Sequence, residues 1–163
     1  MSKEAKTNAL RMLDRAKINY VPHTYECGEF IDGVHIAETL GQAPEATFKT
    51  IVTVGKSGKY YVFVLPVDKE LDLKKCAKVA EEKSLEPVHV KDINAISGYI
   101  RGGVSPIGMK KQFPTFVHES AKNLEKLFVS GGRLGLQLEL APEDLLKACS
   151  GKFADIVQLL FQE

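Results

Sequence analysis

Phe48-Lys49-Thr50-Ile51-Val52-Thr53-Val54-Gly55-Lys56-Ser57-Gly58-Lys59-Tyr60-Tyr61-Val62-Phe63-Val64-Leu65-Pro66-Val67 decides the fold. Its two arms, Phe48 to Val54 and Tyr60 to Val67, are β-branched and aromatic runs of strand length. The segment between them, Gly55-Lys56-Ser57-Gly58-Lys59, has the glycines of a hairpin loop longer than a two-residue turn. The stretch therefore reads as a β-hairpin, and the rest of the chain is read by what it adds to that hairpin.

Upstream, Leu10, Leu13 and Ala16, with Ala9 and Met12 beside them, recur at helical spacing and predict an amphipathic helix from about Lys3 to Lys17. Tyr20 to Tyr25 reads as a short strand. Asp32-Gly33 marks a turn into a short helix ending at Leu40-Gly41, which Pro44 separates from the hairpin. Downstream, Leu73, Cys76, Ala77 and Ala80 set a helix whose Lys74, Lys75 and Lys78 read as a solvated face. A short strand is expected at Val88 to Val90, then a helix capped by Asp92 and stopped at Gly98. Thr115 to His118 and Leu127 to Ser130 read as strands. Gly131-Gly132 turns the chain into Leu134 to Leu140, where apolar residues alternate with a period of two. Pro142 at the first helical position, Glu143 and Asp144 behind it, and Lys147 with Gly151 at the close specify a last helix. Strands mixed irregularly with helices do not fit a βαβ repeat, so the fold class is α+β with a mixed sheet. No linker or composition shift divides residues 1–163, which are expected to form one domain.

Composition narrows the function. The chain has 163 residues, with 22 Lys and Arg against 21 Asp and Glu, a net charge of +1. That balance excludes binding to DNA or RNA by bulk charge, so any RNA contact is local or assisted. No apolar run approaches the roughly 20 residues needed to cross a bilayer. The amino terminus lacks the apolar core and cleavage site of a signal peptide, which points to a cytoplasmic protein. Cys27, Cys76 and Cys149 are odd in number and far apart, so reduced thiols are expected rather than a disulfide framework or zinc site. His23, His35, His89 and His118 have no partner at metal-ligand spacing, and neither a metal nor a cofactor is expected.

Two segments could carry chemistry. Gly98-Tyr99-Ile100-Arg101-Gly102-Gly103-Val104-Ser105-Pro106-Ile107-Gly108 lets backbone approach a ligand closely. It is either a nest of N–H donors for a phosphate or oxyanion, or a tight turn between elements. It has neither the spacing of a Walker A loop nor that of a dinucleotide turn, which disfavours nucleotide hydrolysis. Lys49 and Thr50 open an apolar strand, where the lysine either guards an edge or points a cation into a pocket. Tyr25 is either a core aromatic or a pocket wall. No nucleophile elbow or cysteine-protease signature is present.

Taken together, His23-Thr24-Tyr25, Phe48-Lys49-Thr50, Leu71 to Lys75, Gly98 to Gly108 with Lys110-Lys111, and Val129-Ser130-Gly131-Gly132-Arg133 through Leu145 resemble the bacterial YbaK/EbsC family. The resemblance spans nearly the whole chain, and the Gly-Gly-x-Ser-Pro-x-Gly run is its most specific part. It implies a partly barrel-like mixed sheet flanked by helices, and removal of the wrong amino acid from mischarged tRNA. Cys-tRNA(Pro), with Cys-tRNA(Cys) beside it, is the first expected substrate. Related deacylases of that fold act on Ala-tRNA(Pro) or other small residues through water, and a non-catalytic module binding a synthetase or an RNA end is the other class left open, together with a hydrolase of small esters or thioesters.

By the same resemblance Lys49 is the essential cation, Gly102 docks the aminoacyl ester, and Tyr25, Thr50 and Ser130 line the pocket. Gly103 and Ser105 are added as neighbours on physical grounds. The substrate's own thiol is expected to attack the ester, so no protein nucleophile is required. The implied partners are the aminoacylated 3′ end of tRNA and a transient prolyl-tRNA synthetase. Arg101, Lys110 and Lys111 are either contacts to the acceptor stem or solvated loop charges. Gln137 and Arg101 stand where the family pattern differs, which bears on which amino acid is removed.

Overall fold

A computed structural model describes residues 6–26 and 32–159. The expected start of the first helix at Lys3, and Cys27, lie outside them. Helix α1 (Asn8–Ala16) is capped by Thr7, whose hydroxyl accepts from Leu10 N, and it buries Ala9, Leu10 and Leu13. Ala16 is exposed, because Lys17 takes a left-handed conformation that ends the helix beside it. Strand β1 (Val21–Thr24) follows. Helix α2 (Gly33–Leu40) is bounded as its sequence predicts, with Asp32 capping one end and Gly41 in the left-handed region at the other.

The hairpin forms from β2 (Phe48–Gly55) and β3 (Tyr60–Pro66), antiparallel, with Phe48 opposite Pro66 and Val54 opposite Tyr60. Every residue of β3 after Tyr60 is buried because the strand has a core on each face. Val62 and Val64 pack with α1 and the β6–β7 region described below. Tyr61, Phe63 and Leu65 pack with Cys76 and Ala77 of helix α3 (Leu73–Ala80). Full burial of each such side chain contributes about 1.5–3 kcal/mol of apolar transfer energy. Lys75 does not belong to a solvated face, since its ammonium donates to Val157 O at 2.9 Å and Asp155 at 3.1 Å.

Strand β4 (Leu85–Pro87) lies three residues before the expected Val88 to Val90, and Val90–Asp92 is a 3-10 turn. Its place is set by long-range pairing, Gly55 with Leu85 and Thr53 with Pro87, and not by the β-branched residues that follow. Asp92 precedes α4 (Ile93–Ser97) without capping it through its side chain. Strands β5 (Thr115–His118) and β6 (Leu127–Ser130) match expectation, and β7 (Leu136–Leu140) starts two residues late. Helix α5 (Pro142–Cys149) closes on Ser150, not Gly151, and leads into β8 (Gly151–Ala154), a strand the sequence pattern does not announce.

The strands form two sheets, ordered β1-β7-β6 and β4-β2-β3-β5-β8. The first is antiparallel; in the second, β3 pairs β5 and β5 pairs β8 in parallel, so the sheet is mixed. A bridge between Thr47 and Phe128 links the sheets. Among the described residues no pairing closes them into a barrel. The α+β class with flanking helices stands, while the barrel character is limited to that bridge.

Candidate active site

The site follows from an uneven edge. Strand β3 covers one edge of β2 along its whole length, whereas β4 reaches only Thr53 to Gly55 on the other. One more bond, Val88 N to Val52 O at 3.0 Å, ends the pairing. The start of β2 is therefore open on that side, and a cavity of about 570 Å³ wraps around it, lined by every residue from Thr47 to Val52. Because consecutive strand residues point to opposite faces, only a cavity that wraps an edge takes both Lys49 and Thr50.

Apolar side chains make most of the remaining wall, including Val34 and Ile36 from α2, Val67, Val88, Val90 and Ile93. Helix α2 reaches this position because Gly33 lies on Val67, where a Cβ would sit 2.4 Å from its Cγ1. Lys49 lines this largely apolar space, and among the described residues no carboxylate forms an ion pair with it. A cation in such surroundings attracts an anion or a developing negative charge more strongly than one in water.

The glycine-rich loop contributes Arg101, Gly102 and Val104. Residues 100–103 form a turn in which Gly103 N donates to Ile100 O at 2.8 Å. Gly102, the third residue of that turn, has φ of 88°, which favours glycine. Gly103 does not line the cavity. Its amide is already engaged, and it is buried against the backbone of Arg133, so it does not offer an oxyanion donor. Ser105 is also absent from the lining, with its hydroxyl turned inward to accept from Ile107 N at 3.2 Å. Tyr25 follows β1, where its amide donates to Gly135 O, and it lies outside the lining as well. The structure thus brings together Lys49, Thr50, Gly102 and Ser130, and it does not bring Tyr25, Gly103 or Ser105 to the same wall. Lys110 and Lys111 are exposed outside it, and Lys110 Nζ donates to Ala95 O at 3.2 Å.

Ser130 and Gln137 face one another across the β6–β7 pair and both line the cavity. Ser130 Oγ accepts from Gly132 N. Thr50 Oγ1 and Gln137 Oε1 are buried and, among the described residues, have no hydrogen-bond partner. A buried polar atom left unpaired costs about 1–3 kcal/mol, and here both belong to residues of the cavity wall, which favours a polar ligand that would pair them.

Asp32, His35 and Glu70 stand at the rim and were not singled out by sequence reasoning. The Asp32 carboxylate accepts from His35 N at 3.0 Å and meets its Nδ1 at 2.9 Å. Those hydrogen bonds hold Asp32 below its ordinary value and raise His35 above its own. The helix-start pattern of Asp32-Gly33 signals Asp32 and His35 without saying which cavity the helix will border, and no pattern in the sequence signals Glu70.

Cys76 and Cys149 are buried and unpaired, and burial pushes both thiols up to about 12. Among the described residues no group of His, Cys, Asp and Glu could hold a metal ion, and no helix is long and apolar enough to cross a membrane.

Residues 34–148 match the model of the aminoacyl-tRNA editing domain family. The chain is 46% identical over 154 residues to EbsC of Enterococcus faecalis, named a candidate Cys-tRNA(Pro)/Cys-tRNA(Cys) deacylase, with 94% of each chain covered. Among solved structures it is similar to a hypothetical protein at a TM-score of 0.83 and 20% identity, covering 93% of this chain and 99% of that one. It is also similar to a candidate trans-editing enzyme for prolyl-tRNA synthetase at a TM-score of 0.80 and 20% identity, covering 96% and 100%. At those identities the structural likeness is one of fold.

Proposed function

This chain belongs to the aminoacyl-tRNA editing domain family, and from that membership we propose that it is a trans-editing deacylase cleaving the ester of mischarged tRNA, with Cys-tRNA(Pro) its main substrate and Cys-tRNA(Cys) a second. The observation that carries the reading is Lys49, a cation without an ion-pair partner among the described residues, in the wall of a mostly apolar cavity that also has Gly102 on its lining. In this proposal Lys49 binds the phosphate of the terminal adenosine or the ester oxygen, and Gly102 lets the ester approach the backbone. Thr50 and Ser130 border the aminoacyl group.

Cleavage needs no protein nucleophile. The cysteine sulfur of the substrate attacks its own ester carbonyl, the bond from that carbon to the ribose oxygen breaks, and the thiol proton ends on the ribose hydroxyl. Free tRNA and a cyclic thiolactone are the products. Such a step depends on orientation and charge stabilisation. The two described cysteines, buried with raised pKa values, are unsuited to act in place of the substrate thiol.

A net charge of +1 supplies little affinity through phosphate neutralisation. The proposal therefore has the protein read the aminoacylated 3′ end in the cytoplasm while prolyl-tRNA synthetase, in a transient complex, supplies tRNA identity. The test is the deacylation of Cys-tRNA(Pro) and Ala-tRNA(Pro) side by side, with Lys49→Ala as control. Cysteine-selective turnover that falls about 10²–10³-fold in the variant is expected. Preference for alanine would replace the thiol by an attacking water. Inactivity on both would leave a binding module.

A further inference from the structure

We propose that Gln137 is a specificity-determining residue that accepts a hydrogen bond from the free α-ammonium of the bound aminoacyl group, so that the enzyme rejects N-acylated aminoacyl-tRNA. The inference rests on the deacylase reading above. Gln137 is 5% exposed, lines the cavity, and its Oε1 has no hydrogen-bond partner among the described residues. Its place on β7 is fixed from both sides by antiparallel pairing, with His23 of β1 opposite on one edge and Ser130 of β6 on the other. The orphan acceptor is thus held by a paired strand rather than by a loop.

The chemistry of the ligand follows from what that acceptor lacks. An aminoacyl ester brings one group that is only a donor, the α-ammonium, with three N–H bonds and no lone pair. Lys49 repels that ammonium, which directs it to the part of the cavity where the polar atoms are uncharged. The carboxylates of the lining, Asp32 and Glu70, belong to exposed residues at the rim. Thr50 Oγ1, also buried without a partner among the described residues, is available as a second acceptor. Acylation of the nitrogen removes its charge and all but one donor, and adds bulk. Peptidyl-tRNA has that same chemistry, so this contact would spare it.

The experiment compares hydrolysis of Cys-tRNA and N-acetyl-Cys-tRNA by the full chain, by Gln137→Leu and by Gln137→Met. The wild type is expected to prefer the free amine by about 10–100-fold in kcat/KM, the range for a lost buried hydrogen bond to a charged group. In both variants the ratio should collapse toward one, through loss on the free amine and little change on the acetylated substrate. A ratio unchanged in a folded variant, or an equal loss on both substrates, overturns the proposal. If neither variant folds, the wild-type ratio decides, and parity overturns it. A wild type inactive on both substrates instead defeats the deacylase reading itself, and this proposal with it.

Discussion

The hydroxyl of Tyr99 donates to the carbonyl of Ile107 at 2.7 Å, tying together the two ends of the glycine-rich loop that contains Gly102. Tyr99 is buried, and burial pushes its hydroxyl up to about 12, so it remains a donor at any ordinary pH. Tyr99→Phe keeps the ring and leaves a buried carbonyl short of a donor. A loss of about 1–3 kcal/mol in denaturant unfolding is expected. Because the bond spans the loop that presents Gly102, kcat/KM for deacylation should fall with it. Wild-type stability in this variant would show that the loop holds its shape without the bond.

Gly103 tests the same loop from the opposite side. A Cβ there would lie 2.8 Å from Arg133 Cα and 2.9 Å from its carbonyl carbon, atoms of the backbone that have no rotamer to escape into. Gly103→Ala therefore has to move one chain segment off the other, at about 1–3 kcal/mol. A displacement of about 1 Å at the neighbouring Gly102 is enough to cost about 10²-fold in turnover. Paired measurements of Tm and kcat/KM check this, and an active, fully stable variant would contradict it.

The fold was legible wherever its signal is local. The hairpin around Gly55 to Lys59, the period of two through Leu136 to Leu140, and the Asp32 and Gly41 ends of α2 all depend on residues close in sequence. Strand β8 and the parallel pairs of β5 were not, since Lys152 and Phe153 acquire strand character only by lying beside Phe116 and Val117. For the site, the family resemblance names Lys49, Thr50, Gly102 and Ser130, each of which lines the cavity, and Tyr25, which does not. The sequence does not show that Gly103 N is spent on Ile100, or that Ser105 turns inward. Nor does it show that α2 brings Asp32 and His35 to the rim, because that depends on Gly33 meeting Val67.

His118 predicts a pH dependence of stability. Burial holds its imidazole below the ordinary value near 6.5, with Lys75 and Lys69 lowering it further and Asp155 and Glu119 opposing. Its Nδ1 also accepts from Ser120 N at 3.3 Å, which requires that nitrogen to be unprotonated. The unfolded chain therefore binds a proton at a higher pH than the folded one. Stability from this group is complete above the unfolded value and declines as pH drops from about 6.5 through the lowered folded value. Denaturant unfolding from pH 8 to pH 5 should show that decline, and His118→Gln should flatten it. An equal slope in the variant would assign the acid sensitivity to other groups.

Cys76 and Cys149 separate an enzyme thiol from a substrate thiol. Both are 0% exposed, and burial pushes both thiols up to about 12, which disfavours the thiolate at neutral pH. Neither lines the cavity. The triple substitution of Cys27, Cys76 and Cys149 by alanine should cost stability, about 0.5–3 kcal/mol for each buried position, and leave kcat on Cys-tRNA(Pro) within a few-fold of wild type. A thiol reagent should modify neither buried cysteine without denaturant. Serine in place of the substrate's cysteine removes the attacking sulfur while nearly keeping the shape of the side chain, so its hydrolysis should be slower in wild type and triple variant alike. If the triple variant folds but loses activity on cysteine, the nucleophile belongs to the protein, and Cys27 becomes the residue to restore first.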